Sequence, residues 1–242
     1  MFDRKVTRII TPGTLIDERF MDTAVNNFLL AIYVDDAASS IPNKSGDGLK
    51  NVVLAEAASV GLAWVDLSTG DFYTQSTRLP SLLSAIARIG PREIILNHDA
   101  QAPGASAISC LLEKERLAIS YHANRTRAST IETWLPFLAN AESITDATQF
   151  SAEELAAGTG LLDYIEVQLQ GLKTKLQAPI RRHTTETMAI DKNSMRALEI
   201  KTTLRDGASK GSLLHAMRKT VTNSGSRLLS DWLSKMPLAI ES

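Results

Sequence analysis

Apolar and polar positions alternate along Val6-Thr7-Arg8-Ile9-Ile10-Thr11, and Pro12-Gly13 then breaks the pattern. This predicts a short strand that runs into a loop. Phe28–Val34 is apolar at almost every position and predicts a strand buried on both faces. Residues 37–51, rich in Ser, Pro, Asn, Gly and Asp, predict a flexible surface loop. Val60–Asp66 predicts a further strand. Ser68-Thr69-Gly70 supplies a turn, and Asp71–Gln75 predicts the returning strand of a hairpin. The period then changes. Leu79, Leu82, Leu83, Ile86 and Ile89 fall at helical spacing, and Gly90-Pro91 ends that helix. Glu93–Leu96 predicts a strand, Ala105–Leu117 a helix, and Ile119–His122 a short strand. Strands alternating with helices through the first ~145 residues imply an α/β domain, a mixed sheet flanked by helices.

Beyond that point the strand pattern stops. Ser151-Ala152-Glu153-Glu154 is a capping box, in which the serine accepts from the N3 amide and Glu154 reaches back. Leu155, Leu162, Ile165, Leu169, Leu172 and Leu176 continue at helical spacing, predicting one long amphipathic helix that ends before Pro179. Its inner face is assigned to Ile165 and Leu169, and the helix is the expected link between domains. Gly158 and Gly160 each cost it about 1 kcal/mol of propensity against Ala. They imply either a local irregularity or a closely packed backbone. Asn193 caps a next predicted helix carrying Met195, Leu198, Thr202 and Leu204 on its inner side. Residues 211–219 predict a short helical piece. Thr222 or Ser224 caps a last helix that buries Leu228, Leu229, Trp232 and Leu233 and stops at Pro237. Residues from about 150 to the end therefore read as all-α.

Composition changes this picture in three places. Hydrophobic residues make up 44% and charged residues 22% of the 242, enough apolar material for a packed core. No apolar run approaches the ~18–20 residues of a membrane helix, and no membrane partner is expected. Cys110 is the single cysteine, which excludes an intrachain disulfide and reads as a small apolar filler rather than a nucleophile. Charge is uneven. Residues 1–162 hold 13 Lys+Arg against 19 Asp+Glu, a net of −6, and residues 163–242 hold 13 against 8, a net of +5. Such asymmetry either joins an acidic module to a nucleic-acid-facing one or reflects ordinary solvated helix faces. No secretory or transit segment follows Met1, and both ends read as cut from something longer.

Catalytic signatures are sparse. Gly46-Asp47-Gly48-Leu49-Lys50 and Gly207–Gly211 have the wrong spacing for a phosphate loop. The histidines, His98, His122, His183 and His215, are scattered, and no Gly-x-Ser-x-Gly elbow occurs. Asp66, at a strand end before a turn, is where a nuclease of the ribonuclease-H type or an actin-like phosphotransferase would hold Mg²⁺. Asp71 and Glu93 are its only plausible partners. The competing reading is a hairpin aspartate that bonds its own turn amides. Lys173, Lys175, Arg181, Arg182 and His183 form a basic cluster that either meets DNA phosphates or complements a helix C-terminus.

The motifs carry a resemblance beyond periodicity. Val6–Leu15 resembles the segment that closes the mismatch-reading domain of MutS proteins. Gly61-Leu62-Ala63-Trp64-Val65-Asp66-Leu67-Ser68-Thr69-Gly70-Asp71-Phe72 and Pro91-Arg92-Glu93-Ile94-Ile95-Leu96 resemble their connector domain. Met188–Asp191, Arg196–Ile200, Gly211–Leu214 and Thr220–Leu233 resemble the start of their helical lever, or core, domain. Asp191-Lys192-Asn193-Ser194-Met195-Arg196 looks most like the fungal, mitochondrial branch. The resemblance implies residues 1–20 as the end of the mismatch-reading domain, 21–147 as a ribonuclease-H-like connector without nuclease activity, and 148–242 as the first part of the lever. In a longer parent it implies binding of mismatched double-stranded DNA, ATP and Mg²⁺ at motifs not found here, and a homodimer or heterodimer partner. It further implies a surface for a MutL-type protein and a mitochondrial location, with the nucleus as the alternative. For these residues it implies no catalytic, cofactor or metal site but a role in coupling. A stand-alone helical interaction module remains the other alternative. That module would have a self-contained core in residues 150–242, where the lever reading expects an exposed apolar patch.

Overall fold

The computed structural model describes residues 9–15, 25–34, 58–96, 103–113, 118–122, 129–140, 144, 147–170, 174–183, 190 and 192–234. The predicted loop at 37–51, Val6–Arg8, Lys173 and Pro237 lie outside them. The chain forms two compact units, one of residues 1–16, 27–80 and 91–182, the other of 17–26, 81–90 and 183–242.

The first unit is built on a mixed sheet with strand order β5-β4-β1-β2-β3-β6. Strand β1 (Phe28–Val34) pairs antiparallel with β2 (Ser59–Asp66), and β2 pairs antiparallel with β3 (Asp71–Arg78). On the other side of β1, β4 (Glu93–Leu96) and β5 (Ala118–Tyr121) add in parallel. Helix α1 (Leu82–Ile89) lies between β3 and β4 along the chain, and α2 (Pro103–Glu113) between β4 and β5. Gly90, in the left-handed region at φ 66°, closes α1 where a side chain would be strained. Leu29, Leu30, Ala31 and Ile32 are all fully buried, as the unbroken apolar run requires.

Helix α3 (Ala152–Gln168) lies over β2, with β1 and β3 to either side. The capping box forms in full: Glu154 N donates to Ser151 Oγ at 3.2 Å, and Ser151 N donates to Glu154 Oε2 at 2.7 Å. Ala156 to Leu162 are buried without interruption, so α3 is a core helix with no solvent stripe over that stretch. Ile165 and Leu169 are buried as predicted. The expectation of a helix reaching Leu176 is corrected, because α3 ends at Gln168 and Gln170 takes φ 51°. Leu176 instead forms a parallel bridge with Leu138, and Ile180–Arg181 forms β6, parallel to β3. A strand therefore does occur after residue 145, and α3 belongs to the sheet's own unit rather than linking two domains.

Gly158 faces the Trp134 ring, so an aromatic side chain, not a second backbone, explains that glycine. Trp134 is fully buried between Phe72 and Phe150, with ring centroids 5.2 and 5.4 Å away, and its indole donates to Thr159 Oγ1 at 3.1 Å. Ile9 and Ile10 lie in irregular backbone and are about half exposed, which corrects the strand expected there. Cys110 is exposed rather than a filler. Ile108 and Leu112 on the same helix are buried, and a residue two positions from each sits about 200° round the wheel.

In the second unit, α1 packs with α4 (Lys192–Ala197), and α5 (Leu213–Met217) and α6 (Asn223–Ser234) pack together. The helix expected to carry Met195, Leu198, Thr202 and Leu204 on one side stops short, because Glu199 adopts φ 48°. Met195 and Ile200 are buried, whereas Leu198 and Leu204 are more than half exposed. Thr222 caps α6, accepting from Gly225 N at 3.1 Å. The expected burial of Leu228 and Trp232 is corrected: they are 49% and 64% exposed, and Leu213, Met217 and Val221 are exposed as well.

Candidate functional site

Asp66 ends β2 and is fully buried. Its Oδ2 accepts from Asn27 N at 3.0 Å. Its Oδ1 accepts from Ser68 N at 2.9 Å and from the Ser68 hydroxyl at 2.6 Å. The Asp66 carbonyl takes the two following turn amides, Thr69 N at 3.3 Å and Gly70 N at 2.8 Å. A phosphate-cradling hairpin needs those amides directed outward. Here all three are aimed at Asp66 itself.

The expected partners of Asp66 do not converge on it. Asp71 lies across the hairpin and accepts from the Thr69 hydroxyl at 2.6 Å. Asp66 is paired with Phe28 on β1 and Glu93 with Leu29, the next residue of the same strand. Adjacent strand residues point to opposite faces, so the Asp66 and Glu93 carboxylates lie on opposite sides of the sheet. Among the described residues no group of three or more His, Cys, Asp or Glu is placed to hold a metal ion.

Glu93 is buried on the α3 face and works as a junction. Its Oε2 accepts from Gly13 N at 2.9 Å, and its Oε1 from the Tyr164 hydroxyl at 2.7 Å and the Ser120 hydroxyl at 2.8 Å. Burial, followed by the adjacent Glu93 carboxylate, raises the Tyr164 phenol above its usual value. Tyr164 escaped the sequence reading. Its one signal was a hydroxyl-bearing ring within a helical apolar run, which needs a buried acceptor.

The basic cluster is taken apart. Arg181 Nε stands 3.1 Å from both oxygens of fully buried Glu154, whose Oε2 also accepts from Ser151 N in the capping box. The Arg182 guanidinium sits over the Tyr73 ring, 4.9 Å from its centroid. Lys175 and His183 are exposed. Two of the five cations are thus engaged in contacts within the chain at the strand edge. The turn around Gly207 also fails as a phosphate loop, since its amides are spent internally. Gly207 N donates to Thr203 O at 3.0 Å and Ala208 N to Thr203 Oγ1 at 3.2 Å. Gly46–Lys50 lies outside the described residues.

Two family models match in sequence order: MutS domain II over residues 27–178 and MutS domain III over residues 193–239. Two proteins named DNA mismatch repair protein MutS are similar over 96% of the chain. The one from Anaplasma phagocytophilum (strain HZ) is 30% identical over 235 residues, and the one from Bradyrhizobium sp. (strain ORS 278) is 32% identical over 231. The chain spans 25% and 23% of their respective lengths. With both domains matched in order on a mixed α/β sheet followed by helices, the chain belongs to the MutS family.

Proposed function

We propose that these residues are the connector and the beginning of the lever of a mismatch-repair ATPase, and that their work is mechanical coupling. The observation that carries this is the ordered pair of MutS domain matches. The connector is ribonuclease-H-like in this reading. Three antiparallel strands followed by two parallel strands on the far side of β1 support that, as does the use of Asp66 in its own turn. This reading carries the connector on through α3 and β6, which belong to the sheet unit, to about Arg182 instead of ending it at 147. Exposed Leu228 and Trp232 favour the lever over a self-contained helical module.

In the parent, mismatched double-stranded DNA, ATP with Mg²⁺, a dimer partner and a MutL-type protein are the proposed ligands and partners. In this reading ATP and Mg²⁺ are held by other parts of that parent. The Asp191–Arg196 motif supports the fungal mitochondrial branch, with the mitochondrion as its compartment. Insertion of about ten Gly/Ser residues between His183 and Lys192 of the full-length protein tests the coupling role. Mismatch binding and basal ATP turnover should persist while the mismatch-dependent change in turnover disappears. An unaltered response would overturn the proposal.

A further inference from the structure

We propose that α3 is a double-ended tie, fastening the turn with which the sheet unit begins along the chain at one end and the strand with which it ends at the other. This deepens, and rests on, the coupling role above. The incoming turn, Thr11–Leu15, is held mainly by polar bonds. Gly13 N donates to Glu93, and Glu93 in turn accepts from Tyr164 on the C-terminal half of α3. Ile9 N donates to Gln168 O, at the last residue of the helix, at 3.0 Å, and Asn27 Nδ2 donates to Leu15 O at 3.1 Å. Ile9 and Ile10 stay about half exposed, so apolar burial adds little to this attachment. Gly13 leaves room for this seating, since a Cβ there would press on the Leu29 side chain and stand 3.0 Å from Glu93 Oε2.

The outgoing strand is attached at the opposite end. Gln177 N donates to Gly70 O at 2.7 Å and Arg182 N to Thr74 O at 2.8 Å, and Arg181 closes on Glu154 in the first turn of α3. Ten residues of α3, about 15 Å of rise, therefore separate Glu154 from Tyr164, and Gln168 lies one turn further on. Each fastening is a buried carboxylate whose donors come from segments far apart in sequence. A packed helix moves as one body, so release at one end is felt at the other. Tyr164 and Arg181 are positioning residues in this device.

Amide hydrogen exchange on the whole 242-residue chain, without DNA or nucleotide, tests it. Tyr164→Phe keeps the ring and deletes the donor. The Ile9 and Gly13 amides should exchange about tenfold faster, and the distant Arg182 amide measurably faster, while Leu62 and Ala63 in β2 keep their rates. Arg181→Met should do the reverse, with Arg182 the more affected and Gly13 the less. Glu93→Gln repeats the first test should Tyr164→Phe fold poorly. Acceleration confined to the mutated end would make the two ties independent and overturn the proposal. Equal acceleration in β2 would also overturn it, by making the bonds general stability elements. Neither outcome depends on ATP or mismatches, so this experiment and the linker insertion fail separately.

Discussion

Gly61 in the middle of β2 is the position where one methyl group should be most informative. It pairs with Tyr33 on β1 and Ser76 on β3, and its open side faces the first turn of α3. A Cβ built there runs into the backbone carbonyl of Glu153 and the amide of Glu154. Both are backbone groups, and the Glu154 amide is one arm of the capping box, so no side-chain rotation can relieve the contact. Without the helix, Gly61→Ala would stabilise a strand by about 0.5–1 kcal/mol, because glycine loses the most backbone freedom on folding. Overpacking costs about 1–3 kcal/mol, and displacing the cap about 1 more. The net is a destabilisation of about 1–3 kcal/mol, opposite in sign to the propensity effect.

Urea unfolding followed by tryptophan fluorescence measures this. Trp64 and Trp134 are buried in the sheet unit, so a Trp232→Phe background confines the signal to it. With an m-value of about 2 kcal/mol/M, the midpoint should fall by about 0.5–1.5 M. A midpoint that is unchanged or raised would refute the close seating of α3 on β2, and with it the reason for glycine at position 61.

Other substitutions probe separate parts of the same picture. Ile165→Asp places a charge in a fully buried site and should cost on the order of several kcal/mol, unfolding the sheet unit rather than detaching the second one. Circular dichroism melts compared with the parent check this, and an unchanged melt contradicts it. Asp66→Asn leaves one of the Asn27 and Ser68 donors facing an NH₂ group and should cost about 1–3 kcal/mol. Adding Mg²⁺ to the unsubstituted chain should leave its melting temperature unmoved; stabilisation by Mg²⁺ that disappears in Asp66→Asn would revive the enzyme alternative. Iodide should quench Trp232 alone of the three tryptophans, and quenching that survives Trp232→Phe would show that Trp64 or Trp134 is open. Because the Tyr164 phenol is raised, its neutral form contributes stability that is fully present below about pH 10 and is lost as pH climbs through the folded value. Tyr164→Phe should flatten that alkaline limb in pH-dependent melts, and an identical limb would remove the assignment.

What the sequence disclosed followed from the range of the interaction responsible. The apolar run of β1, the Ser68-Thr69-Gly70 turn and the Ser151–Glu154 capping box are local, and each forms where its pattern lies. β6 is two residues long and carries no period; its pairing with β3 comes from tertiary contact alone. The end of α3 was obscured because Leu169 and Leu176 are both buried, one as the helix cap and the other in a bridge to Leu138, so helical spacing persists where the helix does not. The Glu93 junction joins positions 80 and 71 residues apart, beyond the reach of any periodicity.

The placement of acids separates a chain organised for catalysis from one organised for transmission. A metal-dependent nuclease needs carboxylates sharing one face, with lone pairs left for the ion. Here Asp66 on β2 and Glu93 on β4, paired with neighbouring residues of β1, face opposite ways, and Glu154 sits at the start of a helix. Each is filled by donors of the chain itself, and each joins parts that the sequence separates: β2 with the residue before β1, the incoming turn with α3, and the outgoing strand with the α3 cap. Buried carboxylates are costly unless every lone pair is met, so their presence at these crossings marks where the chain path is fixed. All three crossings lie near points where the chain passes into or out of the sheet unit, at Asn27, at the turn before residue 16 and at Arg181, which is where the proposed coupling element has to be stiff.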